Sequence, residues 1–368
     1  MGEALSSRVD SQSPNDNNYI SSLRLMDFRS YSDFAVELSP GVNIVVGPNA
    51  SGKTNLMEAV LVVSGLKPYR ASWVDLISFN KQWTSVDCLM AEKSRSIKIK
   101  KDNEKVDKYY LINSKQKKRL NLEDKLAIVL FEPENMRLLT DSPEYRRNFL
   151  DYILSQTILT YSSVLSSYKR VLAQRNHLLK NYSPKYSNQL FVWNIRLSEI
   201  AGEIVKARIK LVDEINSLIT EIYSEIAGEA QKVVVTYKSK LGLNDYKSIL
   251  IKSLENDFNL DLARGFTGSG PHREDFEVSL RNNRADISAS RGETRTIILS
   301  LKIIEKKLIE QARGVKPIIL LDDVFSELDG ARRKQLTKYL VNYQTVITTT
   351  DADIVSKNFA QHTNLISL

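Results

Sequence analysis

Residues 42–46 read Val-Asn-Ile-Val-Val and run straight into Gly47-Pro48-Asn49-Ala50-Ser51-Gly52-Lys53-Thr54, after which a helical apolar pattern begins at Asn55. An apolar strand that enters a glycine-rich loop and leaves it as a helix is a phosphate-binding context, and the loop matches G-x-x-x-x-G-K-[ST]. The glycines let main-chain N–H groups converge on an anion, and the helix presents its positive end to the same point. Lys53 is expected to reach the β- and γ-phosphates of ATP, and Thr54 to ligate Mg²⁺. No other stretch constrains the fold as strongly, because the motif requires a strand and a helix in fixed order.

Such a site needs a second acidic group for the metal. Pro317-Ile318-Ile319-Leu320-Leu321-Asp322-Asp323 supplies one at the end of a buried-strand pattern. Asp322 is expected to hold the metal, and Asp323, extending from the same strand end, to polarise the attacking water. An acidic helix cap after a core strand is the structural alternative.

Around these motifs the chain divides into four stretches. Residues 1–18 are expected to form a disordered tail. Residues 19–149 open with three short strands (19–29, 34–38, 42–46) and continue through strand-like segments between 84 and 131, with polar turns at Asp102-Asn103 and Asn113-Ser114. Residues 150–230 change period. Leu150, Leu154, Ile158, Tyr161, Leu165, Tyr168, Leu172, Arg175 and Leu179 form one helical face, and Leu190 to Ile226 form another after a break at Asn181-Tyr182-Ser183-Pro184. These helices predict either an ordinary bundle or a projecting antiparallel arm of coiled-coil type. Residues 231–368 return to mixed elements: a helix from about 293 to 312, the 318–321 strand, a helix over 330–340 and a strand over 345–349. The fold class expected is α/β, a P-loop head with an inserted helical arm.

Charge narrows the ligand class. The net charge is +8, and 93–119 alone holds 11 Lys/Arg against 3 acids, which accounts for the whole excess. A basic hairpin suits a polyanion such as DNA, and Lys98, Lys100, Lys101, Lys115, Lys117, Lys118 and Arg119 are the candidates; a solvated lysine-rich surface is the plain alternative. Cys88, as the single cysteine, cannot form an internal disulfide, and with three scattered histidines there is no structural zinc pattern. No stretch is apolar enough to span a bilayer and the N-terminus lacks a secretory pattern, so a cytoplasmic protein is expected. His177, His272 and His362 stand apart in the sequence and are read as surface or packing residues.

Taken together, these residues resemble the ABC-type ATPases of the SMC group, and within it the bacterial RecF family, over about residues 20–368. Leu25-Met26-Asp27-Phe28-Arg29-Ser30-Tyr31 looks like the family's opening strand, and Tyr69-Arg70-Ala71-Ser72 like its arginine-containing segment. Ser142-Pro143-Glu144-Tyr145-Arg146-Arg147-Asn148-Phe149-Leu150-Asp151 and Ser269-Gly270-Pro271-His272-Arg273-Glu274-Asp275 are the most discriminating strings.

The resemblance implies cofactor contacts from Arg29, Arg70, Asn55, Ser290, Gly292 and Asp329. Ser290-Arg291-Gly292-Glu293 is similar to the ABC signature, which meets the γ-phosphate held by a second subunit, and Ser326-Glu327-Leu328-Asp329 to the D-loop. Read alone, Ser290 is a helix N-cap. Glu293 replaces the signature's usual glutamine. Thr348-Thr349-Thr350-Asp351 stands where many relatives carry a switch histidine, so Thr349 is the candidate donor and slow hydrolysis is expected.

The implied activity is an ATP-dependent homodimer on duplex or gapped DNA in recombinational repair and fork maintenance. A slow, DNA-stimulated ATPase resets it, RecR and RecO are partners, and a recombinase is loaded as the outcome. The alternatives are a tethering scaffold of SMC type that uses nucleotide structurally, and a transporter ATPase subunit, for which the switch histidine is missing.

Overall fold

The Val42–Val46 strand lies between two parallel neighbours in a five-stranded sheet, and that placement organises half of the computed structural model. The structure describes residues 18–91, 93–102, 105–351, 355, 359 and 363–368. The expected tail, apart from residue 18, the turn residue Asn103 and His362 lie outside the described residues.

In chain order the elements are β1 (Ile20–Phe28), β2 (Tyr31–Glu37), β3 (Val42–Val46), α1 (Lys53–Val63), β4 (Trp83–Met90), β5 (Ser94–Asp102), β6 (Lys105–Ile112), β7 (Lys115–Lys117) and β8 (Ile128–Phe131). They continue with α2 (Arg137–Thr140), α3 (Pro143–Thr157), α4 (Tyr161–Lys180), α5 (Ser187–Ala227), β9 (Val233–Lys238), α6 (Tyr246–Asn256), α7 (Phe258–Arg264), β10 (Asp275–Leu280) and β11 (Asn283–Arg284). The chain closes with α8 (Ala285–Ser288), α9 (Arg291–Arg313), β12 (Ile318–Asp322), α10 (Val324–Glu327), α11 (Gly330–Leu340), β13 (Thr345–Thr349) and β14 (Thr363–Ser367). Two compact units result, Met1–Leu130 with Arg313–Ser326 and Leu340–Leu368, and Phe131–Ala312 with Glu327–Tyr339.

The first unit holds two sheets, an antiparallel one of order β2-β1-β4-β5-β6-β7 and the five-stranded one of order β14-β3-β13-β12-β8. Helix α1 contacts β1, β4 and β5 of the first sheet and β12 and β13 of the second. A helix covered on both sides should be apolar all round, and Leu56 to Val63 are all buried, Glu58 among them. Register then fixes the site: Val46 pairs with Thr349 and Asp322 with Thr348, so the P-loop entrance and both acidic residues share the carboxyl ends of parallel strands.

The second unit packs α3, α4 and α5 with the antiparallel β11-β10-β9 sheet. Most of the stripe on α5 is as the spacing predicts: Leu190, Leu197, Ile204, Leu211, Ile215, Ile222 and Ile226 are buried, Trp193, Ile200 and Leu218 are partly buried at its edges, and Gly228 ends the helix at φ 76°. The first helical face is different. It breaks between Thr157 and Tyr161, where α3 ends and α4 begins, and Ile158 is exposed rather than on the stripe.

Candidate functional site

The first unit assembles the phosphate loop from strain that only certain residues tolerate. Gly52 has φ 107°, and a Cβ there would lie 2.7 Å from the Tyr31 hydroxyl, which itself donates to the Gly52 carbonyl at 3.1 Å. Ala50 also takes positive φ, 67°. Lys53 folds back so that Nζ donates to the carbonyls of Gly47 and Pro48, both at 2.7 Å. Ser51 Oγ is buried and has no hydrogen-bond partner among the described residues. A phosphate oxygen in the loop would satisfy it. Asn55 Nδ2 donates to Ser30 Oγ at 2.8 Å, which ties the helix start to the β1–β2 turn.

Asp322 is the hub beside this loop. Its carboxylate is nearly buried and accepts from Thr54 Oγ1 at 3.2 Å, Tyr69 OH at 2.8 Å and Thr348 Oγ1 at 2.8 Å, with Arg70 Nη2 3.5 Å away. Three hydroxyls and a guanidinium offset the cost of burying that charge. Thr54 and Asp322 therefore stand together as a pair of hard oxygen donors. This is the set that Mg²⁺ takes when it keeps waters and adds phosphate oxygens, so the residues fit that ion.

Asp323 sits at φ 55°, a conformation that Asp tolerates better than most residues. Its main-chain N–H is held by Thr348, at 3.0 Å from Oγ1 and 3.2 Å from the carbonyl, while Ser326 Oγ donates to its Oδ1 at 2.9 Å. The two carboxylates have different partners, Ser326 for Asp323 and Thr54, Tyr69 and Thr348 for Asp322. Asp323 directly precedes α10 (Val324–Glu327), the position the helix-cap alternative requires, and its contact with Ser326 belongs to that helix start.

Behind the loop, buried Glu58 pairs with Arg29 Nη2 and accepts the Arg70 main-chain N–H at 3.2 Å. Arg29 and Arg70 are thus both anchored to α1, and Arg29 Nε remains buried without a partner. Glu58, Tyr69 and Thr348 escaped sequence reasoning. Glu58 sat inside an apolar helix pattern, where a lone buried acid opposite an arginine was the available signal.

Thr349, the expected donor to the γ-phosphate, is engaged locally. Its hydroxyl is buried and closes a local turn, donating to the Asp351 carbonyl at 3.1 Å and accepting from the Asp351 N–H. Alternation along β13 sends consecutive side chains to opposite faces, so Thr348 is the threonine that reaches Asp322.

In the second unit, Ser290 and Glu293 form a capping box at the start of α9: Ser290 N–H donates to Glu293 Oε2 at 2.7 Å and Glu293 N–H to Ser290 Oγ at 3.2 Å. Those bonds, with the Arg281 guanidinium, hold the Glu293 carboxyl below its ordinary range. The glutamate is therefore a helix-start residue, and Ser290 remains exposed. Arg332 joins the other signature elements. It pairs with Asp329, donates from Nε to Thr296 Oγ1 at 2.8 Å, and would stand 3.2 Å from a Cβ on Gly292. A side chain there would push that guanidinium aside by a few tenths of an ångström.

The basic candidates are split by the sheet. Lys98 and Lys100 are exposed on one face of β5, whereas Ile97 and Ile99 on the other are buried. Register places Lys117 opposite Tyr110, and Tyr110 opposite Ile97, so Lys117 belongs to the core face, where it pairs with Asp124 at 2.5 Å. Lys115 and Lys101 share that parity, and Lys118 and Arg119 follow β7 as exposed residues. The run in sequence is therefore not one patch, because the pleat divides it. Lys117 in particular is occupied by an internal acid.

The family described as RecF/RecN/SMC N terminal domain matches residues 19–366. The DNA replication and repair protein RecF of Clostridium perfringens (strain SM101 / Type A) is 36% identical over 340 residues, covering 90% of this chain and 93% of that relative. RecF of Lactobacillus johnsonii is 34% identical over 351 residues, covering 92% and 94%. Among solved structures, the recombination mediator protein RecF-ATPrS in the RecFOR pathway superposes with a TM-score of 0.84 at 28% identity, covering 92% of this chain and 94% of that one. An Smc head bound to the C-winged helix domain of ScpA reaches 0.54 at 18% identity, over 92% and 91% of the two chains, a likeness of fold alone.

Proposed function

The chain belongs to the RecF/RecN/SMC family, and from that premise and the geometry at Asp322 we propose that it is an ATP-dependent DNA-binding protein of DNA replication and repair. The observation that carries this reading is the Thr54–Asp322 contact beside a P-loop whose Ser51 hydroxyl lacks a partner. A bound nucleotide would draw Lys53 Nζ from two loop carbonyls to its phosphates, an exchange of neutral for charged acceptors. Mg²⁺, held by Thr54 with Asp322, would neutralise charge on the β- and γ-phosphates. Asp323 then takes the proton of an attacking water from its separate, strained position.

The second unit offers Ser290 at the exposed start of a 23-residue helix, an anion-binding end with no nucleotide motif of its own. In this reading two copies close head to head on two ATP molecules, each P-loop completed by the partner's α9 start, and the closed dimer holds duplex DNA. Slow hydrolysis reopens it. RecR, RecO and recombinase loading at gaps in the cytoplasm follow from the likeness to RecF. Among the described residues no helix is long and apolar enough to cross a membrane. A tethering scaffold that uses nucleotide only structurally is less favoured, since the likeness to RecF is closer throughout than that to Smc heads.

Steady-state ATP hydrolysis across a protein concentration series, with and without duplex DNA, tests this. Specific activity should rise with concentration and with DNA, and Lys53→Ala should remove both ATP-dependent dimerisation and turnover. Flat activity, unaffected by DNA, would count against the composite site. For DNA contact, Lys98→Ala with Lys100→Ala should reduce the slope of log affinity against log salt by about 2, one unit for each phosphate no longer neutralised. An unchanged slope would leave that face as a solvated surface.

A further inference from the structure

A second cationic feature lies in the first unit, away from the P-loop. Strands β3, β13 and β12 run parallel, so the loop at the end of β3 and the residues preceding β12 lie at opposite ends of the sheet. At the latter end is a cavity of about 370 Å³ lined by Lys93, Arg95, Lys125 and Arg313, with Glu123 and Asp124 as its acids. Asp124 is already paired to Lys117, and Glu123 is exposed.

Arg95 is 6% exposed, and among the described residues its guanidinium makes one hydrogen bond, from Nη2 to the Asp124 carbonyl at 2.9 Å. Arg313 likewise donates from Nη2 to the Lys125 carbonyl at 2.7 Å, while its Nη1 is buried without a partner. Neither guanidinium has a carboxylate within ion-pair distance among the described residues. A buried guanidinium and a half-buried one, each hydrogen-bonded to a carbonyl and set beside a lysine, with the Asp124 carboxylate near Arg95 already paired to Lys117, leave positive charge that an anion would compensate. The crowding is visible in Lys125, whose ammonium is held below its ordinary pKa by burial and then by Arg313 and Lys67. Arg95 and Arg313 are shifted the same way by burial.

We propose that this cavity is a second anion site that takes a phosphate group. Guanidinium groups match phosphate oxygens in geometry as well as charge, and a dianion compensates several cations at once where a single carboxylate would not. The phosphate belongs either to a small free species such as pyrophosphate or to nucleic acid. The site does not depend on the P-loop.

The test therefore uses the Lys53→Ala protein, with pyrophosphate as the probe and thermal unfolding as the readout. Pyrophosphate should raise the melting temperature saturably, as ligand linkage requires. Lys125→Met and Arg313→Met, each added to Lys53→Ala, should weaken that binding by about tenfold or more, the worth of one charge-assisted hydrogen bond. Arg95→Met should do the same if it folds; the other two variants decide the matter if it does not. Duplex oligonucleotides with and without a 5′-phosphate are then competed against pyrophosphate. Competition by both assigns the site to backbone phosphate, competition by the phosphorylated one alone to a strand end, and by neither to a free anion, all three with the pocket variants sensitive. A melting temperature that pyrophosphate does not raise, or raises equally in the Lys125→Met and Arg313→Met proteins, overturns the proposal.

Discussion

Asp323→Asn is expected to leave ATP binding intact and to lower hydrolysis by about 10²–10⁴-fold, the usual worth of a positioned general base. The substitution is nearly isosteric, and asparagine is as tolerant as aspartate of the φ of 55° found here. The main-chain N–H of residue 323 keeps its bonds to Thr348, and Ser326 can still pair with an amide. The neighbouring Asp322 hub is untouched, so the metal and phosphate contacts persist. What is removed is the ability to accept a proton. ATP-bound dimers should consequently accumulate rather than cycle, visible by sedimentation with ATP alongside single-turnover hydrolysis. A variant that remains monomeric in ATP would sink the two-headed closure, and one with undiminished turnover would move the base to another residue.

Much of this site is legible in the sequence because its parts are local. The run from Gly47 to Thr54 carries its own strand and helix, and Ile318–Asp322 carries its own burial pattern, so each could be placed without the other. The contact between Thr54 and Asp322 spans 268 positions and depends on sheet order, which no local pattern encodes. The same limit explains Thr348 and Thr349. Thr349 is the expected γ-phosphate donor, and the contact of its neighbour Thr348 with Asp322 depends on strand parity, which no local pattern marks. The lysine-rich segment fails for a related reason: counting charge along the chain merges residues that the pleat sends to opposite faces. Helix α5, by contrast, is long and strongly periodic, and its stripe and terminal glycine were both readable. The break before α4 was not, since Ile158 fits the stripe by spacing yet lies exposed between α3 and α4.

The two strings that most resemble the RecF family meet in a buried network of the second unit, and breaking that network should have the largest effect on stability. Arg208 on α5 is 3% exposed and makes a two-pronged bond to Asp151 on α3, with both N–O distances 3.0 Å, while its Nη1 donates to the Pro271 carbonyl at 2.7 Å. Tyr161 on α4 donates to the same carboxylate at 2.5 Å. One guanidinium therefore joins two helices and the loop before β10. Nearby, Arg146 forks onto Asp275 and Arg147 reaches the Glu274 carbonyl, so the strings are bound to each other at several points. Arg208→Met strands a carboxylate and a carbonyl in the interior and should cost about 3–5 kcal/mol, the penalty for an uncompensated buried charge. Asp151→Leu alone strands the guanidinium and should cost a similar amount. The double variant removes both charges, and it should recover a large part of the loss, because an ion pair of this kind is far more costly to halve than to delete. Urea unfolding of the four proteins measures the cycle. If the double variant loses the sum of the two single losses, the pair is not coupled. The strings would then owe their character to something other than this junction.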